Sequence, residues 1–407
     1  MLTNTILNET IIFYNNINTD RINSNVPIYS KNEQEYNFCP FKPAKFKVNS
    51  LETLQIYLEE IKEDLINNNS IWKSFLFYKK YLINLIQLSN VHITKVKNFD
   101  SPDNVLVSDP RKIFMSIAWL WQDVLMRALF SYPIKSSDYS LFLNLSYLII
   151  DYYFDDPNIR PIDKKAFAKY VQGRILQENK PYDLFSSKFD KAIKIVENEF
   201  PRNEDNHKVY STIYDMFMVE KISMESESVN HGNFTDVDLM KIMAQKGIQT
   251  VITVVKIAEI DSKKELNYEQ HKFMMKFGFL TQIIDDICDL QNDINSNCNT
   301  YYVRMVKTNN KNLDKYTYLA INYTDDLYND LITNNYFNHS IIHNKNVCDS
   351  MRIILNIWLM YGICKNKKYY SEDVYKNLEK YSILSFDDIT SIRNNSKPTL
   401  LKLLSKK

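Results

Sequence analysis

An all-α fold, arranged as one large single-domain helical bundle, is what this 407-residue chain predicts, and three observations carry it. Only 5 glycines and 11 prolines are present, too few for the many tight turns of an all-β protein, which need glycine at positive φ. Apolar residues recur at steps of three and four along most of the chain, the period of a helix face. No repeat with a period of about 20 to 50 residues and no proline- or serine-rich linker divides it, which sets aside a solenoid or a string of small domains.

Residues 1–45 are polar, with Asn15, Asn16, Asn18, Asn23 and Asn25 and late prolines at Pro27, Pro40 and Pro43. They predict a weakly ordered or strap-like extension ahead of a helical domain over 46–400, with 401–407 as a basic tail. Leu51, Leu54, Tyr57, Leu58 and Ile61 open the first helix of that domain. A second covers Ser70 to Leu88, and a third, Lys112 to Ser131, holds Trp119 and Trp121 and is apolar enough to be buried on most faces. Leu141 to Asp155 follows, stopped by Pro157. The next, Ile162 to Leu176, carries Asp163 in its first turn, where the helix dipole favours an acid. Further helices are expected over Ser187–Glu199, Lys208–Ser228, Asp236–Ile260, Tyr268–Asp293, Tyr316–Thr333 and Ser350–Cys364.

Composition narrows the function. Fifty basic side chains stand against 49 acidic ones, and no basic run exceeds pairs such as Lys406-Lys407, so a nucleic-acid backbone is not an expected partner. Neither a GxGxxG loop nor a Walker loop occurs, which sets aside dinucleotide and P-loop chemistry. The 5 cysteines are scattered without a CxxC pair and read as reduced thiols of a cytoplasmic protein. The 6 histidines show no zinc-ligand spacing. No apolar run reaches about 18 residues and no basic-then-apolar leader opens the chain, so no transmembrane segment or signal is expected.

The sharpest motif is Gly278-Phe279-Leu280-Thr281-Gln282-Ile283-Ile284-Asp285-Asp286-Ile287-Cys288-Asp289. On a helix Asp285 and Asp289 share one face, and Asp286 neighbours Asp289. The residues between them are those of a buried helix, where unpaired charges are costly. A hard divalent cation relieves that cost, and Mg²⁺ commonly takes one or two carboxylates plus phosphate oxygens and water. The alternative is a solvated acidic face, the expectation for Asp325-Asp326 with Asp330 and for Asp387-Asp388. A second acidic set, Asp151, Asp155 and Asp156, ends the helix that begins at Leu141. Carboxylates are disfavoured at that negative dipole end, which argues for a compensating cation, or else for acids solvated at a helix stop.

Two acidic helix faces 134 residues apart in an all-helical, glycine-poor chain resemble the class I terpenoid synthase superfamily, which includes trans-isoprenyl diphosphate synthases, head-to-head coupling enzymes and terpene cyclases. Gln282 to Asp289 is similar to the second aspartate-rich motif of the isoprenyl diphosphate synthases, and Asp151 to Asp155 stands in the place of the first, with Tyr152 where the family has its second Asp. Lys246-Gly247 resembles the family's diphosphate-binding lysine, and Pro110-Arg111-Lys112 its upstream basic motif. The resemblance spans about residues 105–310. It implies a bundle with a central active-site cavity and a cluster of three Mg²⁺ ions, held by Asp151, Asp155, Asp156, Asp285, Asp286 and Asp289. It also implies a prenyl diphosphate substrate bound by Lys246, Arg111, Lys112, Arg160 and Arg304. Asp151, Asp155, Asp285 and Asp289 would be the catalytic acids, and Tyr147, Tyr152, Phe154, Phe279 and Gln282 would line the cavity.

Within that superfamily the sequence favours a cyclase that ionises one linear allylic diphosphate, with farnesyl diphosphate the expected substrate because Tyr147 would shorten the cavity. Elongation with isopentenyl diphosphate needs a second basic pocket, and Asn158-Ile159-Arg160-Pro161 supplies one arginine where that subfamily has two. Asn292-Asp293-Ile294-Asn295-Ser296-Asn297-Cys298-Asn299-Thr300 also resembles the cyclase metal triad, with Thr300 in place of its final Glu. Asp285/Asp289 and Asn292/Ser296 thus stand as alternative metal sets. A non-catalytic regulatory subunit is the competing expectation from another class, and a homodimer is a further implication of the resemblance.

Overall fold

The computed structural model describes residues 2–16, 159–176, 183–228, 234–309, 312–334 and 358–382, with single positions elsewhere, most of them between 56 and 154. The protein is all-α: every described regular element is helical, and no strand occurs among the described residues. In chain order the helices are α1 (Leu2–Asn16), α2 (Pro161–Ile175), α3 (Leu184–Glu199), α4 (His207–Ser228), α5 (Asp236–Ser262), α6 (Tyr268–Asn295), α7 (Tyr301–Thr308) and α8 (Asp314–Thr333), then a helical run over 358–365 and α9 (Glu372–Leu378). No described helix is long and apolar enough to cross a membrane.

The chain divides into two compact units. One comprises Met1–Phe38, Met218–Thr253 and Glu265–Arg393; the other comprises Cys39–Phe217, Val254–Lys264 and Asn394–Lys407. Both α4 and α5 contribute to each unit, which is why no linker composition marks the division in the sequence.

The first unit is organised on α6. Asn267 caps it: its side chain accepts the Gln270 amide at 2.9 Å while Gln270 accepts the Asn267 amide at 2.9 Å, satisfying two otherwise orphan donors. Helix α1 lies against α6 and α8. The extension expected as a weakly ordered strap therefore begins as a helix, because Leu7, Ile11 and Tyr14 form a buried stripe at i, i+4 and i+7. Tyr14 packs edge-on to Phe279 and Tyr323, with ring centroids 5.3 and 5.6 Å away, and its hydroxyl meets that of Tyr302 at 3.3 Å. The rest of the extension, 17–45, and the tail, 401–407, lie outside the described residues.

Three of the chain's 5 glycines set how closely neighbours approach α6. A Cβ on Gly247 of α5 would stand 2.2 Å from the Gly278 carbonyl oxygen, and one on Gly278 would stand 2.5 Å from that of Gly247. The two backbones touch there, which no larger residue permits. At Gly362 a Cβ would come 2.9 Å from Cys288 Sγ, so the run 358–365 meets α6 nearly three turns further along.

In the second unit Asp183 caps α3 in a capping box with Ser186, and α2 opens with Pro161 at its first position. Arg174 of α2 joins the two helices, its guanidinium bonding Glu197 at 2.8 and 3.0 Å and Asp190 from Nε. Arg127, fully buried, bonds Asp123 at 3.0 Å and Asp261 at 2.9 Å.

Candidate functional site

The acidic face of α6 is built by the glycine crossings. Because Gly247 and Gly278 let α5 and α6 touch, Lys246 is delivered beside the carboxylates that begin two turns after Gly278. Lys246 Nζ stands 3.4 Å from Glu220 Oε2 on α4, and both groups act on Asp285: the lysine lowers its pKa and the glutamate raises it. From the run 358–365, Lys365 reaches the same face one turn after Gly362, with Nζ 2.5 Å from the Cys288 carbonyl oxygen and 3.6 Å from Asp289 Oδ1.

The three aspartates differ in surroundings. Asp286 is buried, and the Gln282 amide donates to its Oδ1 at 2.7 Å. Burial, opposed by that bond but reinforced by Asp293 and Asp285, holds Asp286 well above the usual carboxylate range. Asp285 is raised to about 7, first by burial and then by the Asp289 carboxylate, against the lowering influence of Lys246. Asp289 has 53% of its side chain exposed. Near neutral pH the face thus sheds negative charge by holding protons and, at Asp289, by facing Lys365.

The alternative set, Asn292 and Ser296, lies at the end of the same helix. Helix α6 ends at Asn295, Ser296 is its C-cap, and Asn297 turns into the left-handed region at φ 56°. Thr300 belongs to the next element as the N-cap of α7, its hydroxyl 3.3 Å from Asp293 Oδ2. The Ser296 amide bonds back to the Asn292 carbonyl at 2.8 Å, so those two positions stay one turn apart, and the Asn292 side chain lies 3.5 Å from Asp289 Oδ1.

Other expected positions also change. Phe279 is sealed between Tyr14 and Tyr323 and is core, not cavity wall. Phe154, in the second unit, is buried against Tyr153 and Phe167 and is likewise core. Arg304 bonds Asp236 at 2.6 Å and the Phe234 carbonyl, tying α7 to the start of α5. Arg160 forms an exposed two-pronged pair with Asp163 at 2.7 and 2.9 Å. Both arginines are thus engaged by local carboxylates where diphosphate contacts were expected. Asp151, Asp155, Asp156, Tyr147, Tyr152, Arg111 and Lys112 lie outside the described residues.

Sequence reasoning missed Glu220 and Lys365. Each left a trace: Glu220 follows the run Met216-Phe217-Met218-Val219, and Gly362-Ile363-Cys364-Lys365 places a lysine one turn from a helical glycine, much as Lys246 adjoins Gly247. Among the described residues no three His, Cys, Asp or Glu side chains gather into a metal-binding group. No known protein family, curated protein or solved structure matches this chain.

Proposed function

We propose that the chain is a Mg²⁺-dependent class I terpenoid synthase that ionises a linear allylic prenyl diphosphate, releasing diphosphate and forming a terpene hydrocarbon or alcohol. The supporting observation is the nearness of Lys246 to Asp285, on which its charge acts, brought about by glycine–glycine contact between α5 and α6. The donors fit the ion: they are hard carboxylate oxygens, and Asp285, raised to about 7 by burial and then by the Asp289 charge, is a group whose cost a divalent cation would discharge. Asp285 and Asp289 would hold the ion from the protein side, and substrate oxygens and water would complete its shell, as Mg²⁺ prefers.

Bound Mg²⁺ supplies Lewis-acid neutralisation of the diphosphate leaving group. The chain's own residues prepare for it. Lys246 offers an ammonium to the diphosphate oxygens, and the Gln282 amide fixes the Asp286 carboxyl 2.7 Å away so that it does not swing into the site. Apolar Ile283, Ile284 and Ile287, all fully buried, keep water from the inner side of the helix.

Chain elongation with isopentenyl diphosphate is favoured by one specific observation. The helix end at Asn295 puts Thr300 on the next element, away from Asn292 and Ser296, which supports the acid pair that resembles the elongating enzymes. Incubation of the purified chain with Mg²⁺ and farnesyl diphosphate, with and without isopentenyl diphosphate, separates the readings. A terpene from farnesyl diphosphate alone supports the cyclase, and longer prenyl diphosphates formed only with isopentenyl diphosphate support elongation. No product, together with no Mg²⁺-dependent binding of pyrophosphate, sinks both and leaves a non-catalytic helical subunit.

A further inference from the structure

Lys365 occupies a position that the proposed chemistry does not explain. Gly362 brings its helical run onto α6 at Cys288, and one turn later the ammonium donates to the Cys288 carbonyl and faces Asp289 Oδ1 at 3.6 Å. On α5, Lys246 is likewise turned to a carboxylate, Glu220. Asp289 is the acid of this face that solvent reaches most easily, whereas Lys365 is only 20% exposed, so the ammonium cannot simply drift into water. A divalent ion held by Asp289 would stand within a few ångströms of that ammonium, and two cations cannot share one carboxylate in a partly desolvated site without strong repulsion.

We propose that Lys365 is an internal counter-ion for Asp289, and that a metal ion is admitted to the Asp285/Asp289 pair only when Lys365 gives Asp289 up. This rests on the reading of that pair as a metal site and adds its regulation. Metal alone binds against the Lys365–Asp289 pair and leaves an ammonium without its carboxylate. A multiply charged anion such as diphosphate offers the displaced ammonium a new partner. The pair therefore couples the two ligands: each makes the other's entry easier.

Isothermal titration of the full chain with MgCl₂, with and without inorganic pyrophosphate, provides the test, run on the native protein, Lys365→Met, Lys365→Arg and Asp285→Asn. Lys365→Met should bind Mg²⁺ in the absence of pyrophosphate about threefold to fivefold more tightly, the factor expected for one partly exposed ion pair. Lys365→Arg, which keeps the cation, should stay close to native. An unchanged or weaker Mg²⁺ affinity in Lys365→Met, with Asp285→Asn abolishing binding, overturns the counter-ion role and leaves the metal site standing. Absence of Mg²⁺ binding to the native chain, with or without pyrophosphate, overturns the metal site and the counter-ion together. A second measurement needs no variant. Amine acetylation read by mass spectrometry should label Lys365 more at saturating Mg²⁺ than in chelator, and equal labelling while Mg²⁺ binds overturns the proposal.

Discussion

Asp285 carries opposite consequences for stability and for function. Its pKa rises from 3.8 to about 7, chiefly through burial, with Asp289 reinforcing the shift. The native state thus binds a proton that the unfolded chain releases near pH 4, so this group's contribution to stability is complete below about 4 and is lost as pH rises towards about 7. In chelator, the melting temperature of the native protein should fall across that window, and Asp285→Asn should flatten the fall; a slope that survives the substitution assigns the titration elsewhere. The same variant should lose Mg²⁺-dependent turnover of prenyl diphosphate while melting at or above the native temperature at pH 8, since it removes a repelling charge. A folded, fully active Asp285→Asn would show that the face does not carry the chemistry.

The site depends on helix crossings, and two of these can be tested separately. Gly278→Ala places a methyl 2.5 Å from the Gly247 carbonyl oxygen, a backbone atom that cannot rotate away. The expected cost is about 1–3 kcal/mol by overpacking, with Lys246 carried away from Asp285. Pyrophosphate affinity in the folded fraction should fall along with stability, whereas intact affinity would mean that Lys246 does not need the crossing. Helix α1 provides a control remote from the acids. Tyr14→Ala empties the space between Phe279 and Tyr323 and should cost about 3–5 kcal/mol in a denaturant titration. Tyr14→Phe removes only the hydroxyl contact with Tyr302 and should cost about 1 kcal/mol.

Across the whole molecule the buried acids of the two units respond to acid in opposite senses: Asp285 and Asp286 of the first are raised, Asp190 and Glu197 of the second lowered. In the second unit burial would raise Asp190 and Glu197, but hydrogen bonds outweigh it, from Lys194 and Arg174 to Asp190 and from Arg174 and Arg202 to Glu197, and both carboxyls are lowered. Their stabilisation is present above about pH 4, the unfolded value, and is lost as pH falls through the native one. Limited proteolysis on a falling pH series should therefore cut within α2 and α3 before it cuts within α6. Arg174→Ala, which takes away the cation that Asp190 and Glu197 share and leaves them to Lys194 and Arg202, should remove about 3 kcal/mol at pH 7 and part of that acid sensitivity; first cleavage in α6 would reverse the assignment.

The helices were legible in the sequence because their causes are local. Apolar spacing, Pro161 at a first turn and the Asn267–Gln270 cap each act within a few residues, so α6, expected over 268–293, runs over 268–295. Helix α1 was missed because three buried side chains, Leu7, Ile11 and Tyr14, among many asparagines make too faint a stripe. The acid face and Lys246 were legible for the same local reason: carboxylates at i and i+4 share a face whatever surrounds them. What only the tertiary structure decided is which charges meet there. Glu220 is 65 residues from Asp285 and Lys365 is 76 from Asp289, separations that no periodicity connects. Whether Phe279 is buried turned on Tyr14, far away in the chain, and the parting of Thr300 from Asn292 and Ser296 turned on a helix ending at Asn295. Helix faces follow from the order of residues along the chain, but the partners of each face follow from where glycine lets two backbones touch.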